Sequence, residues 1–375
     1  MMSINDYLET VKQSGLVARA NLERELDGCL LDHKAQANEL GRRLVLAGWL
    51  THWQNDLLQR GLTQGFFLGP YKIMRRIGAG SMSSVFLGEH TILKRQVAIK
   101  ILHRKLADDP KMLARFRNEA CVVAALCHPH LVQAWDYGCV DERHYLVLEY
   151  VPGYGLDEVV QRGGRLPFLA VADYVRQAAA GLAEAHAQDI IHRDVKPANL
   201  LLALQGQVKV ADFGLSQSTP GVCQSFDEGT EMLGTPDYLP PEQAMDCQAV
   251  EGRADVYSLG CTLYHLLTGS APYMSDSFTQ ILLQHQSGPV PNVLHQRDDI
   301  PRELAKLTAW MMSKNWEKRP TMLEVHTWLR RWLKPHTLCG QTHISHLQVL
   351  YRLSLNSPTP LHTCPMPELA TLQGT

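Results

Sequence analysis

Apolar positions along the chain follow two regimes. Up to residue 69 they recur at helical spacing: Tyr7, Leu8 and Val11; Leu22, Leu26 and Leu30; Leu40, Leu44 and Val45; Leu57 and Leu58. Ser3 with Asp6 and Thr51 with Gln54 have capping-box spacing, each just ahead of one of these runs, and Gly61 and Gly65 close the last. The pattern predicts a helical module over residues 1–69. Short one-faced helices must pack on each other or on a partner, so two readings stay open: a bundle docked on the rest of the chain, or a separate recruitment or regulatory module.

From Tyr71 the period shortens. Tyr71, Ile73 and, after a slip, Ile77 predict a strand, and Val85–Glu89 and Gln96–Ile101 two more. Leu146–Val151 reads as a buried strand running into Pro152-Gly153. Beyond it the pattern is mainly helical, over Ala170–Ala187, Asp255–Leu267, Glu303–Met312 and Met322–Leu333. The expected class is α+β. Residues 334–375, rich in Thr, Pro and His without steady periodicity, read as a poorly ordered tail.

Composition narrows the functions. The chain has 375 residues, room for two or three folded units, with 36 Lys and Arg against 38 Asp and Glu. That balance gives no strongly basic surface for nucleic acid. No run of about 18 apolar residues exists to span a membrane, and the first residues lack the basic-then-apolar order of a secretory signal. Nine scattered cysteines without C-x-x-C read as reduced thiols, which predicts a cytoplasmic protein. His336, Cys339, His343 and His346 have a spacing that zinc can use, although histidine is frequent throughout the chain.

The chemistry concentrates in His192-Arg193-Asp194-Val195-Lys196-Pro197-Ala198-Asn199 and, shortly after, Asp212-Phe213-Gly214. Asp194 can take a proton from a hydroxyl, and Lys196 can offset charge on a transferring phosphoryl group. Asn199 and Asp212 offer the oxygen ligands that magnesium prefers. Upstream lie the glycine-rich Gly78–Val85 and Val97-Ala98-Ile99-Lys100, with Glu119 in a helical stretch; downstream lie Gly234-Thr235-Pro236-Asp237-Tyr238, Pro240-Pro241-Glu242, Asp255–Gly260 and Arg319-Pro320.

In this order and spacing the motifs resemble those of the eukaryotic-like serine/threonine protein kinases found in bacteria, over residues 70–333. The resemblance implies a bilobal kinase fold, a small strand-rich lobe and a large helical one. It also implies ATP and Mg2+ between the lobes and protein substrates carrying Ser or Thr, with self-association where the enzyme phosphorylates itself. By resemblance the nucleotide lies against Ile77, Gly78, Ala79, Gly80, Ser81, Met82, Ser83, Val85, Ala98 and Leu201, with the hinge at Glu149 and Val151. Lys100, paired with Glu119, holds the phosphates; Asp194 and Lys196 act at the transfer; Asn199 and Asp212 hold the metal. His192 packs under Phe213, Glu242 pairs with Arg319, and the Asp255 helix props the catalytic loop.

The sequence departs from the family pattern at Ser83, where a third glycine is usual, and Ala198 lacks the acid with which some relatives bind substrate arginine. Lys196 is the serine/threonine-type choice. The loop from Leu215 to Pro241 offers Ser216, Ser218, Thr219, Ser225 and Thr230 for phosphorylation opposite Arg193, with Thr230 or Ser225 expected. Asp227, Glu228 and Glu231 are a built-in source of the same charge. Taken alone, the glycine loop is also a plain hairpin and Lys100 an ordinary strand lysine. Two rival classes are a pseudokinase scaffold, which typically loses Lys100, Asp194 or Asp212, and a small-molecule kinase, which usually lacks the segments around Thr235 and Glu242.

Overall fold

The computed structural model describes residues 2–27, 37–213, 236–245, 251–338 and 340–355. The chain forms two compact units, Met1–Ala124 with Gln133–Tyr150, and Ala125–Val132 with Val151–Thr375.

The first unit opens with helices α1 (Ile4–Ser14), α2 (Arg19–Asp27), α3 (Ala37–Leu46) and α4 (His52–Gln59). Ser3 caps α1 by accepting from the Asp6 N–H, and left-handed Gly15 (φ 68°) ends it. The apolar faces close on one another through Tyr7, Val11, Leu22, Leu40, Leu44 and Leu58, each at most 1 % exposed. The bundle then meets a sheet. β1 (Phe67–Leu68), β2 (Tyr71–Ala79), β3 (Ser83–His90), β4 (Gln96–Leu102), β5 (Ala134–Val140) and β6 (Arg143–Glu149) pair antiparallel in the order β1-β2-β3-β4-β6-β5. Trp53 of α4 stands edge-on to both Phe66 and Phe86, joining the helical core to the sheet's. After the short α5 (Arg104–Ala107), α6 (Pro110–Ala125) sets Phe116 and Ala120 against Leu102 and Leu146.

The expected strand over Leu146–Val151 is shifted. β6 starts at Arg143 and stops at Glu149, because Pro152 has no N–H for the ladder and restricts the residue before it. β5 is absent from the sequence reading because its half-exposed A-W-D-Y-G-C-V shows no clean alternation.

The second unit carries a small sheet of β7 (Gly153–Gly155), β8 (Leu200–Ala203) and β9 (Val208–Val210), in that order. Around it lie α7 (Leu156–Gly163), α8 (Phe168–Ala187), α9 (Pro241–Met245), α10 (Gly252–Thr268), α11 (Phe278–Ser287), α12 (Arg302–Met311), α13 (Met322–Leu338) and α14 (Gln341–Leu355). α8 and α10 are buried on nearly every side, as their near-continuous apolar sequences require.

Residues 334–338 and 341–355 are helical, in contrast to the tail expected there. α13 runs to Leu338, and α14 turns Thr342, Ser345, Val349 and Leu353 inward. Two of those four residues are hydroxylic, so the face shows little hydrophobic contrast in sequence. A hydrogen bond strengthens it: His346 Nε2 lies 3.1 Å from the Asp173 carboxylate of α8, and its ring packs on Tyr174.

Candidate active site

Each unit carries one cluster of the residues named above. In the first unit, β2 and β3 form a hairpin whose turn is closed by Gly80 N–H donating to Ser83 O (2.9 Å), with Gly78 opposite Val85. Neither Gly78 nor Gly80 has a positive φ, and a Cβ at either would meet only ordinary 3.5 Å contacts. The fold itself therefore does not require glycine here. Without side chains at these two positions the backbone is open to close approach by another molecule. Ile77 is exposed, Ala79 and Ser81 lie at the open end of the hairpin, and Ser83 is buried at the start of β3. Met82 packs its side chain onto the Leu102–Phe116–Leu146 cluster. His103 ties the hairpin down, one ring nitrogen on Ser81 O and the other on Ser84 Oγ, both at 3.1 Å.

Lys100 sits on β4, where Ala98 and Ile99 precede it as buried residues, and its ladder partners are Val85 and Leu146. Its Nζ meets Glu119 Oε1 of α6 at 2.5 Å, with the two residues 8 % and 4 % exposed. A buried lysine and a buried glutamate are each costly alone, so each makes the other tolerable. Glu149 ends β6 opposite Val97 in β4, and its N–H donates to Gln133 O (2.8 Å).

The second unit holds the catalytic-loop residues. Asp255, in the first turn of α10, is fully buried and accepts from the N–H of His192 and of Arg193, both at 2.8 Å, while His186 Nε2 lies 2.8 Å from the same carboxylate. Burial by itself would raise this carboxyl; the His186 hydrogen bond, the His186 and His192 charges and the His192 N–H outweigh it and hold the group below the usual range. These bonds stabilise a turn in which Arg193 adopts φ 64°, uncommon for a residue with a Cβ. The next residue is Asp194. Its Oδ2 accepts from Lys196 Nζ (2.7 Å) and from Asn199 Nδ2 (3.0 Å), and the same amide reaches Asp194 O at 2.8 Å.

A 3₁₀ turn at Pro197–Asn199 feeds β8, so Asn199 and Asp212 close opposite sides of one hairpin. Ala211 N–H donates to Asn199 O (2.9 Å), and Leu200 pairs with Val210. Asp212 is exposed, with φ 66°. His192 packs on Phe213 with ring centroids 4.5 Å apart and meets Ala211 O with Nε2. Leu201 lies in β8 opposite Lys209, and Val151 is buried just ahead of β7. The donors suit magnesium: both Asn199 amide hydrogen bonds run through its nitrogen to Asp194, leaving the carbonyl oxygen uncommitted among the described residues, beside a carboxylate at Asp212.

Glu242 and Arg319 form a two-pronged pair at 2.6 and 2.8 Å, with Arg319 2 % exposed. Beside it Ser258 Oγ donates to Tyr238 O (2.8 Å). The phosphorylation candidates Ser216, Ser218, Thr219, Ser225 and Thr230, together with Gly214 and Thr235, lie outside the described residues. Sequence reasoning missed His186 on Asp255 and Gln243, whose amide donates to Arg193 O at 3.2 Å. A histidine six residues before His192 and a glutamine after Glu242 carry no local signal of that role. Two of the four residues of the zinc-like spacing have other partners. His336 bonds Gln341, His346 pairs with Asp173, and no group of three potential ligands occurs among the described residues; Cys339 lies outside them.

A lysine–glutamate pair beside a glycine hairpin, with an aspartate–lysine–asparagine loop and an aspartate before Phe213, defines the protein-kinase class. The chain belongs to the protein kinase family: the protein kinase domain matches residues 71–329. Its relatives are bacterial serine/threonine kinases of eukaryotic-like type. PrkC of Bacillus subtilis is 36 % identical over 239 residues, 64 % of this chain and 36 % of PrkC. PknB of Mycolicibacterium smegmatis is 38 % identical over 254 residues, 66 % of this chain and 40 % of PknB. The match thus spans well under half of either relative. The crystal structure of the Mycobacterium tuberculosis PknI kinase domain superposes with a TM-score of 0.55 at 28 % identity, covering 72 % of this chain and 98 % of that one.

Proposed function

We propose that the chain transfers the terminal phosphoryl group of ATP to serine or threonine hydroxyls of protein substrates. One observation carries this reading most: Asp194 bonded at once to Lys196 and Asn199, on a turn fixed by a buried carboxylate. The Lys196 cation and the Asn199 amide both fall on Oδ2, so Oδ1 is left to accept the proton of an incoming hydroxyl. Lys196, 2.7 Å from that carboxylate, offsets charge on the transferring group, and the Asn199 amide keeps Asp194 from rotating. Lys100, held upright by Glu119, would engage the α- and β-phosphates, and the hairpin from Ile77 to Val85 would cover them. Magnesium, held by Asn199 and Asp212, would supply charge neutralisation of the phosphates.

Arg193 supports regulation by phosphorylation. Its Nε and Nη1 are buried and have no acceptor among the described residues, a setting that suits a phosphate on Thr230 or Ser225. Self-association would let one copy phosphorylate another. Four free thiols among the described residues, Cys121, Cys127, Cys139 and Cys261, favour a reducing, cytoplasmic setting. No helix among the described residues is long and apolar enough to cross a membrane.

The test is transfer of labelled phosphate from magnesium-ATP to a generic protein substrate, with intact-mass measurement of the enzyme. Incorporation by the wild type and none by Asp194→Asn supports the proposal. Equal incorporation by both, or nucleotide binding without transfer to protein, sinks it.

A further inference from the structure

The capping box of α4 holds more than its own helix. Thr51 Oγ1 accepts from Gln54 N–H (3.1 Å) and Gln54 Oε1 accepts from Thr51 N–H (2.9 Å), the reciprocal pair that closes a helix start. Each side chain has donor capacity left over, and both donors go to consecutive carbonyls of β2. Thr51 Oγ1 donates to Met74 O and Gln54 Nε2 to Ile73 O, each at 2.6 Å.

Those carbonyls sit at an irregularity in the strand. Ile73 pairs with Gly88 and Arg75 with Leu87, so Met74 is an extra residue with no partner in the ladder. Gln54 is fully buried, so no solvent can replace its amide. From the other side Ile73 N–H donates to Phe66 O (2.8 Å). Trp53, between the two capping residues, stands edge-on to Phe86, and Phe86 is the ladder partner of Arg76. The helical module therefore grips β2 and β3 immediately before the hairpin that begins at Ile77. A bulge sets the bend and twist of the strand beyond it, and β2 has no joint between Met74 and Gly78 other than a second register shift at Arg76/Gly78.

We propose that Thr51 and Gln54 are positioning residues for nucleotide binding, and that the helices of residues 2–27 and 37–59 are a fixed part of the nucleotide-binding unit, holding the Met74 bulge and through it the glycine-rich hairpin. This rests on the reading of that hairpin as the ATP loop. A module serving only recruitment would gain nothing from donating one buried and one part-buried hydrogen bond into a strand bulge, and its loss would leave nucleotide affinity unchanged.

The test uses the full chain with Gln54→Leu, Thr51→Val and the conservative Thr51→Ser. Calorimetric affinity for magnesium-ATP, KM for ATP, kcat and hydrogen exchange over residues 72–87 are measured together. Gln54→Leu and Thr51→Val each remove one capping bond and the bond to β2, stranding a β2 carbonyl, which should weaken magnesium-ATP binding and raise KM by about five- to tenfold, with kcat within about twofold. Thr51→Ser should match the wild type, and the hairpin amides should exchange faster only in the other two variants. A lower unfolding temperature with unchanged affinity and KM overturns the proposal, since that is what a purely structural contact gives. Should Gln54→Leu not fold, the Thr51→Val and Thr51→Ser pair decides between the same outcomes. A wild type that binds no magnesium-ATP overturns the kinase reading itself, which variants indistinguishable from a binding wild type do not.

Discussion

Replacing Asp255 by asparagine changes one oxygen to an NH2 and little else in volume. The carboxylate accepts two backbone N–H groups at 2.8 Å and faces His186 at 2.8 Å, in a fully buried setting. An asparagine can accept through one oxygen only, and its NH2 then faces an N–H donor. A hydrogen bond to a charged acceptor contributes about 1.5–3 kcal/mol, so losing one and opposing two donors should cost roughly 3 kcal/mol. For a unit of this size that lowers the unfolding temperature by about 6–12 °C. The loss falls on the turn at Arg193, whose φ of 64° needs those bonds, so Asp194 loses its orientation. Activity should therefore drop about a hundredfold or more in kcat, while KM for ATP stays within about threefold, because Lys100, Glu119 and the glycine hairpin are untouched. Thermal unfolding and steady-state kinetics on the same preparation measure both. A variant with wild-type kcat would refute the claim that Asp255 positions the catalytic loop, even if its unfolding temperature fell.

Lys100→Met should leave Glu119 buried without its cation, costing about 3–5 kcal/mol, and Glu119→Gln in the same chain should recover part of that stability without restoring ATP binding, as read by thermal unfolding and calorimetry. Docking of α14 should depend on acid. Burial would raise the Asp173 carboxyl, but His346, Arg176 and Gln177 together lower it to about 2. Because the folded value lies below the unfolded one, the contribution is fully present above pH about 4 and is lost as pH falls toward 2, worth about 2 kcal/mol in total. Hydrogen exchange over residues 341–355 should follow that window in the wild type and lose its pH dependence in Asp173→Asn.

The motif residues were legible because phosphoryl transfer fixes both residue type and spacing. Asp194, Lys196 and Asn199 lie within one short loop, so the contacts among them follow from local sequence. Lys100 and Glu119 meet across a strand and a helix, and their pairing was readable only by resemblance. Long-range polar contacts left no trace. His186 on Asp255, Gln243 on Arg193 O, and Gln54 on Ile73 O each join a side chain to a group far off in the chain with no periodic signal. The helices of residues 2–27 and 37–59 were visible from apolar spacing and caps, whereas their attachment to β2 depends on a bulge that only pairing register reveals. α14 escaped because Thr342 and Ser345 on its buried face reduce the contrast on which periodicity relies.

The central proposal is that Lys100, Asn199 and Asp212 each serve a magnesium nucleotide. A crystal structure of the full chain with magnesium and a non-hydrolysable ATP analogue tests it most directly. It should show Asn199 Oδ1 and an Asp212 oxygen on the metal at about 2.1 Å, with Lys100 Nζ in hydrogen-bond reach of the α- or β-phosphate. Metal held elsewhere, or a nucleotide that touches neither Lys100 nor Asp212, would contradict it.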